Sequence, residues 1–321
     1  MLAALLTMVG VILIGVALRD TFETVFHPGW PGSLSGGIHR LVWRGAHRVA
    51  SRSQARLRLA GPVAMLTSVG VWVLLLVVGW ASVIWPRLPG GFRAATSLRP
   101  GEQGGGVDAL YVSLVTLATL GYGDLTPRED WLRLVLPLEA LIGFALISAA
   151  ISWVLSVYPA LGRRRGLARQ VTLLTEILPR AGLADGQATP EVLGPQLAAL
   201  TRQVITVQHD FTQFPVTYYF AERDRRSALP VALAELLPIV AVASRSEHPP
   251  EIRLPALMLQ AATRDLLGLV AEHYLHRSPT DVPDDLCVAY ARDHGHELSH
   301  KELGQASSAL VRRASEEREL R

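Results

Sequence analysis

Hydrophobic positions along the chain gather into three stretches long enough to cross a bilayer and one that is not. Leu2 to Leu18 is apolar almost throughout and is closed by Arg19, near the lower length limit for a spanning helix. A cleaved signal peptide is the competing reading. It is opposed by the lack of a basic residue before the run and of a small-residue cleavage pattern after it. Leu59 to Trp85 is the second stretch, long enough to tilt, with Trp72, Trp80 and Trp85 available for packing or for the membrane interface. Trp131 to Tyr158 is the third. Pro137 can kink it, and Glu139 sets a carboxylate in an apolar run, which is costly unless the group is paired or faces water. The remaining stretch, from Asp108 to about Ala118, falls well short of the ~20 residues a crossing needs. The pattern there predicts a helix, capped by Asp108, that enters the membrane and turns back, which is tolerated only where protein or water covers its end.

The polar segments complete the layout. Residues 19–58 form a basic linker whose first part, HPGWPGSLSGG, is turn-rich and predicts no helix. Its second part sets Leu41, Val42, Ala46 and Val49 at helical spacing, with Arg40, Arg44, Arg48 and Arg52 four apart on another face. Two readings stand side by side: an amphipathic helix on an anionic leaflet, or a solvated connector. Either way the arginines put this loop on the cytoplasmic side, as does the run Arg163-Arg164-Arg165 after the third span. Residues 86–107, rich in Gly and Pro, read as an extracellular loop. Residues 159–321 form a cytosolic domain with amphipathic helices predicted near 166–180, 190–213, 227–243, 251–276 and 284–319, and no convincing strand. The predicted fold is an α-helical membrane protein: three transmembrane helices (1–18, 59–85 and 131–158), a re-entrant pore helix with a filter at 108–127, and an all-α cytosolic domain. It is multi-pass in the cell membrane, with its N-terminus outside and its C-terminal domain inside.

Composition changes this picture little. Half of the 321 residues are hydrophobic, and a net charge of +3 argues for no nucleic-acid partner. The single cysteine, Cys287, excludes an intrachain disulfide framework and fits a reducing compartment.

The chemistry lies where the short helix stops, in the run Thr119-Leu120-Gly121-Tyr122-Gly123-Asp124. A cation leaves water only if oxygens replace its hydration shell. Successive backbone carbonyls can do so if right- and left-handed conformations alternate, and glycine reaches φ > 0 at little cost. Gly121 and Gly123 bracket Tyr122 at the spacing this needs. Thr119 then supplies a carbonyl and a hydroxyl at the inner end, Tyr122 points away and packs the strip against surrounding helices, and Asp124 sits at the outer mouth.

Thr119 to Asp124 resembles the selectivity filter of potassium channels, whose usual form is TVGYG. Leu120 stands where Val or Ile is commoner, a mild change for a residue that contributes its carbonyl. Ala118 stands where a threonine is frequent. The resemblance covers roughly residues 60–158. It implies K+ as the transported ion, the filter residues Thr119, Leu120, Gly121, Tyr122 and Gly123 as its ligands, and a homotetramer, because one strip per chain must be repeated around an axis. Gly143 resembles the family's gating hinge, although glycines also serve close helix packing in membranes. Below it, Ile147, Ile151 and Leu155 form an i, i+4 stripe suited to lining and closing the inner cavity. Glu139 suits either a packing role behind the filter or a role in conduction. No cofactor is required, the regulatory ligand is open, and no enzyme activity is expected.

One motif points elsewhere. His296-Glu297-Leu298-Ser299-His300 fits HExxH, in which two histidines one helical turn apart bind zinc. The alternatives are therefore a membrane-anchored helical module, as a metal-binding sensor or zinc hydrolase, and a nonselective cation channel. The same segment also reads as an exposed helix face.

The arginine distribution generates a test of topology. A cysteine introduced at Ser97 is expected to react with an impermeant reagent from outside intact cells, whereas one at Ser51 or Ser227 is expected to be protected; labelling of Ser51 from outside would reverse the scheme.

Overall fold

The protein is described by a computed structural model, over residues 1–26, 32–50, 54–94, 104–177 and 190–298. It divides into two compact units. One comprises residues 1–41 and 63–156, the other residues 42–62 and 157–321. Four helical stretches are long and apolar enough to cross a membrane: Leu2–Val25, Leu57–Arg87, Asp130–Ile177 and Pro250–Leu275.

In the first unit, helix α1 (Leu2–Val25) runs past Arg19, where the sequence had placed its end. The polar residues there are accommodated by the helix itself and by its neighbours. Arg19 pairs with Glu23 one turn on (2.7 Å), and Asp20, Thr21 and Thr24 face protein and are buried. Helix α2 (Ser33–Ala50) begins inside the segment expected to be irregular, with Gly36 and Gly37 helical. Asp20 explains this. Its carboxylate accepts from the amides of Leu34 (2.9 Å) and Ser35 (3.2 Å), satisfying donors that a helix start leaves unpaired. It also accepts from Ser35 Oγ and from Trp72 Nε1 (2.8 Å) of helix α3 (Ala60–Ile84). Helices α1 and α3 cross at glycines: a Cβ on Gly10 would lie 2.5 Å from the Gly79 carbonyl oxygen, so the backbones touch.

After α3 a single 3-10 turn (Trp85–Arg87) leads to strand β1 (Phe92–Ala94). It pairs antiparallel with strand β2 (Leu125–Pro127), Arg93 opposite Thr126. No sustained alternation of apolar and polar residues signals this three-residue pairing. Between the strands stands helix α4 (Gly106–Leu117), and after β2 comes helix α5 (Asp130–Ile177). Ile84, Phe92, Ala109, Val112, Leu132 and Leu136 form the core that joins α3, β1, α4 and the start of α5.

Helix α5 does not end at Tyr158, nor does a new helix begin at Gly166 as expected. It continues unbroken for 48 residues, about 72 Å at 1.5 Å per residue. The arginines expected to mark the membrane boundary are taken up within the second unit. Arg163 makes a two-point ion pair with Asp210, Arg164 donates to the carbonyls of Thr217 and Phe220, and Arg164 and Arg165 both reach Glu222.

The second unit is built from helices α6 (Pro190–Gln213), α7 (Leu229–Ala243), α8 (Pro250–Val270) and α9 (Pro283–Asp293), and its described residues contain no strand. Helix α7 is apolar on nearly every face and largely buried, as an interior helix must be. Residues 42–62 belong to this unit. Trp43 and Leu57 enter its core with Val42 and Ala46 packed against it, so part of the apolar side of the linker helix is covered by protein, while Leu41 and Val49 stay exposed.

Around Trp43 lies an aromatic cluster with Tyr218, Tyr219, Tyr274, Tyr290 and His294. The Asp293 carboxylate is its polar centre, accepting from Trp43 Nε1 (3.0 Å) and the Tyr218 hydroxyl. Burial lowers the His294 pKa to about 3 although Asp293 pulls it upward. The folded state thus refuses a proton that the unfolded chain accepts below about pH 6.5, so stability is complete above that value and falls as pH drops towards 3. The melting temperature is expected to be lower at pH 5 than at pH 7.5, at up to about 1.4 kcal/mol per pH unit for this one group. The drop is expected to shrink in His294→Phe, which keeps a ring edge-on to Tyr218 and Tyr290; thermal melts of both proteins at the two pH values check this.

Candidate ion-conduction site

The site is assembled at the C-terminal end of α4. Asp108, third residue of that helix, reaches back to accept from the amides of Gly104 (2.9 Å) and Gly105 (3.1 Å), which fixes where the helix starts. With 12 residues, about 18 Å, α4 is too short to cross a membrane of ordinary thickness. The chain after it has to pair its own amides. Those of Ala118, Thr119 and Leu120 donate to Leu114 (3.0 Å), Thr116 (2.9 Å) and Val115 (2.9 Å), and that of Gly121 reaches Val115 at 3.4 Å. Left-handed backbone recurs at Thr119 (φ 58°), Gly121 (φ 56°) and Gly123 (φ 76°), while Leu120 and Tyr122 between them keep negative φ. Among the described residues nothing donates a hydrogen bond to the carbonyl oxygens of Thr119 to Gly123. The strip thus uses its donors inward and leaves its acceptors free, which is what a dehydrating cation requires.

The sequence reading assigned left-handed backbone to the two glycines and missed it at Thr119, where a β-branched residue is a conformational outlier. Two other participants were also missed. The Tyr111 hydroxyl donates to Asp124 Oδ2 at 2.6 Å, tying α4 to the outer mouth, while Asp124 Oδ1 accepts from the Leu125 amide. Ser113 Oγ donates to Glu139 Oε1 at 2.6 Å, from α4 to α5. Neither link has a signal in hydrophobic periodicity, because each joins residues remote in sequence. Glu139 is fully buried behind the strip, and its Oε2 has no partner among the described residues. Tyr122 is 67% exposed in the single chain, so its own helices do not pack it as expected.

Gly143 lies one turn beyond Glu139 on the same face of α5. A Cβ there would lie 2.0 Å from the Leu117 carbonyl oxygen, at the last residue of α4. Close packing thus accounts for this glycine, and α5 is helical straight through it. Ile147, Ile151 and Leu155 form an exposed apolar stripe further down α5.

The HExxH reading requires a helix, and the structure departs from it. Helix α9 ends at Asp293, Gly295 turns the chain with φ 75°, and His296 to Leu298 are not helical. His296 Nε2 lies 3.0 Å from the Glu222 carbonyl oxygen. His300 lies outside the described residues, and no cluster of three or more metal-ligating side chains occurs among the described ones.

A helix too short to cross a membrane, followed by a strip of free carbonyls and flanked by two helices long and apolar enough to cross, is an arrangement that suits an ion channel. The family model described as "Ion channel" matches residues 70–158, from the middle of α3 to the Tyr158 level of α5, which sets this segment among channels and not enzymes. Three relatives extend the comparison. The uncharacterized membrane protein YdjJ of Bacillus subtilis is 24% identical over 288 residues, 86% of this chain and 81% of that protein. Two pore potassium channel c of Oryza sativa subsp. japonica is 35% identical over 88 residues, 26% of this chain and 18% of the channel. Two-pore potassium channel 5 of Arabidopsis thaliana is 38% identical over 50 residues, 16% of this chain and 12% of the channel. The chain thus spans less than a fifth of either plant channel. No solved structure matches it.

The contact at Gly143 separates packing from hinging. In Gly143→Ala the added carbon meets backbone, which cannot rotate away, so α4 must shift. The variant is expected to lose about 1–3 kcal/mol of stability and most of its ion flux. A hinge alone would leave the melting temperature unchanged and alter only gating; parallel thermal melts and flux assays tell the two apart.

Proposed function

We propose that this protein is a potassium-selective channel that conducts K+ passively, with four copies of the chain arranged around a common pore. The observation that carries the reading is the left-handed backbone at Thr119, Gly121 and Gly123, with the strip's amides spent on α4 and its carbonyls free. One such strip offers oxygens from one side only. A ring of strips surrounds the ion, and a second copy provides the cover that Tyr122 lacks within its own chain.

In this reading the spans are α1, α3 and the first part of α5. Helix α8, although long and apolar enough to cross, carries Glu251, Arg253, Arg264 and Asp265 and buries Ile252, Ala256, Leu259, Leu266 and Leu267 in the core of the second unit, which suits a soluble helix. Three crossings put the N-terminus outside and the second unit in the cytoplasm, in keeping with the arginines of residues 19–58. Ile147, Ile151 and Leu155 line the inner cavity. The second unit regulates opening through α5, which enters it without a break.

Flux from liposomes holding purified protein, with K+ compared against Na+, tests the proposal. The wild type is expected to prefer K+ strongly. Gly121→Ala adds a Cβ at φ 56°, a region costly for an L side chain, and is expected to cut K+ flux by about tenfold or more while the assembly survives. Normal K+-selective flux in that variant would sink the assignment.

A further inference from the structure

Helix α8 is covered on one side only. At about 100° per residue, all of its exposed residues fall within an arc of about 160°, and its other residues are buried or half-buried in the second unit. Four exposed apolar residues, Leu254, Leu257, Met258 and Ala261, run along that arc at i, i+3, i+4 and i+7. Leu254 is 63% and Met258 54% exposed, so the core of the second unit leaves most of this stripe uncovered.

The charges beside the stripe are sorted by sign. Arg253 and Arg264 lie beyond Leu257 along one edge, whereas Glu251 and Asp265 lie on the Met258 side. Each acid is nearly level with an arginine, Glu251 within about 3 Å of Arg253 along the helix axis and Asp265 within about 1.5 Å of Arg264. None of these four side chains makes an ion pair or hydrogen bond among the described residues.

That sorting selects what covers the stripe. Hydrocarbon would take the apolar residues but strand four charges in the same arc. A second copy laid parallel, related by an axis running along the helix, sets the acidic edge of each helix against the basic edge of the other at both ends of the stripe. An antiparallel copy keeps like edges together, acids on acids and arginines on arginines. The parallel match holds equally for a pair of copies and for a closed ring.

We infer that the exposed face of α8 is a self-association surface, on which α8 of another copy of this chain packs in parallel, apolar stripe on apolar stripe. The inference rests on the proposed reading of α8 as a soluble helix and is independent of ion selectivity.

Disulfide trapping in full-length protein reconstituted in liposomes tests it, with the buried Cys287 left in place. Leu254→Cys alone and Ala261→Cys alone are each expected to give covalent dimers on a denaturing gel after mild oxidation, because residues near the middle of a parallel face meet their own copies. Antiparallel packing would hold each about 10 Å from its own copy and trap only a chain carrying both cysteines, a result that overturns the proposal. Reversing the basic edge with Arg253→Glu and Arg264→Glu is expected to cut the trapped fraction about fivefold or more, and adding Glu251→Arg and Asp265→Arg to restore it. Trapping that ignores the reversal is fatal. So is the absence of dimers at both positions in variants that melt like the wild type, which is the outcome if lipid, another protein or another segment of this chain covers the stripe. Should one cysteine variant not fold, the other decides. A fluorophore on Leu254→Cys tells the two failures apart: quenching by nitroxide within the acyl chains would put α8 in the membrane and sink its soluble reading too, whereas missing dimers without quenching sink the pairing alone.

Discussion

A backbone amide held away from water must find a carbonyl, and the end of α4 is governed by that constraint. At the end of the helix the next amides turn back onto Leu114, Val115 and Thr116. Turning the amides back forces the alternation at Thr119, Gly121 and Gly123, and the alternation releases the carbonyls. The surrounding contacts serve to keep the end of α4 in place: Tyr111 on Asp124 above, Ser113 on Glu139 behind, and the Gly143 backbone against Leu117 below. A β1–β2 pairing closes the outer side by tying the residues after Asp124 to the loop that follows α3. The pore helix is thus gripped at its base, its back and its mouth, while the strip itself is left uncovered.

What the sequence made legible follows from how local each signal is. The long apolar helices, the short helix and the two glycines were readable because hydrophobic runs and φ > 0 requirements are written in consecutive residues. In the second unit α6 at Pro190–Gln213 and α7 at Leu229–Ala243 were placed closely, because each repeats its apolar face over several turns, whereas the helix expected over 284–319 ends at Asp293, with 299–319 outside the described residues. Failures cluster where a partner distant in sequence overrides a local preference. Ser33 to Gly37 looked like a turn and is helical because Asp20 supplies the missing acceptor. Arg163 to Arg165 looked like a terminus and lies mid-helix because Asp210 and Glu222 neutralise the charge. Thr119 takes a conformation that its own side chain disfavours because the hydrogen bonds of its neighbours require it. HELSH matched a pattern without the helix that gives the pattern its meaning, since Gly295 breaks the chain first.

Two carboxylates illustrate how buried charge is managed differently within one unit. Asp20 accepts from two amides, a hydroxyl and an indole, so each oxygen is occupied and the group acts as a fixed joint between three helices. Glu139 has one donor for two oxygens, and the donor is a hydroxyl on the pore helix itself. A fully bonded group rigidifies its surroundings, whereas a partly bonded one leaves its surroundings more than one way to settle. The contrast sets a firm elbow at one end of the spans and an adjustable contact behind the strip.

The Asp20 joint carries a consequence for the order in which the chain takes shape during synthesis. Helix α1 emerges from the ribosome before α2, but the indole that completes the joint belongs to Trp72 in α3, later still. Until that residue is made, the Asp20 carboxylate is short of a donor, and the glycine crossing of α1 at Gly10 has no Gly79 to meet. The first hairpin therefore waits, half assembled, for the third helix to arrive. An insertion that delays α3 prolongs that waiting state, during which a charged side chain near the membrane is exposed to whatever quality-control machinery surveys nascent membrane proteins.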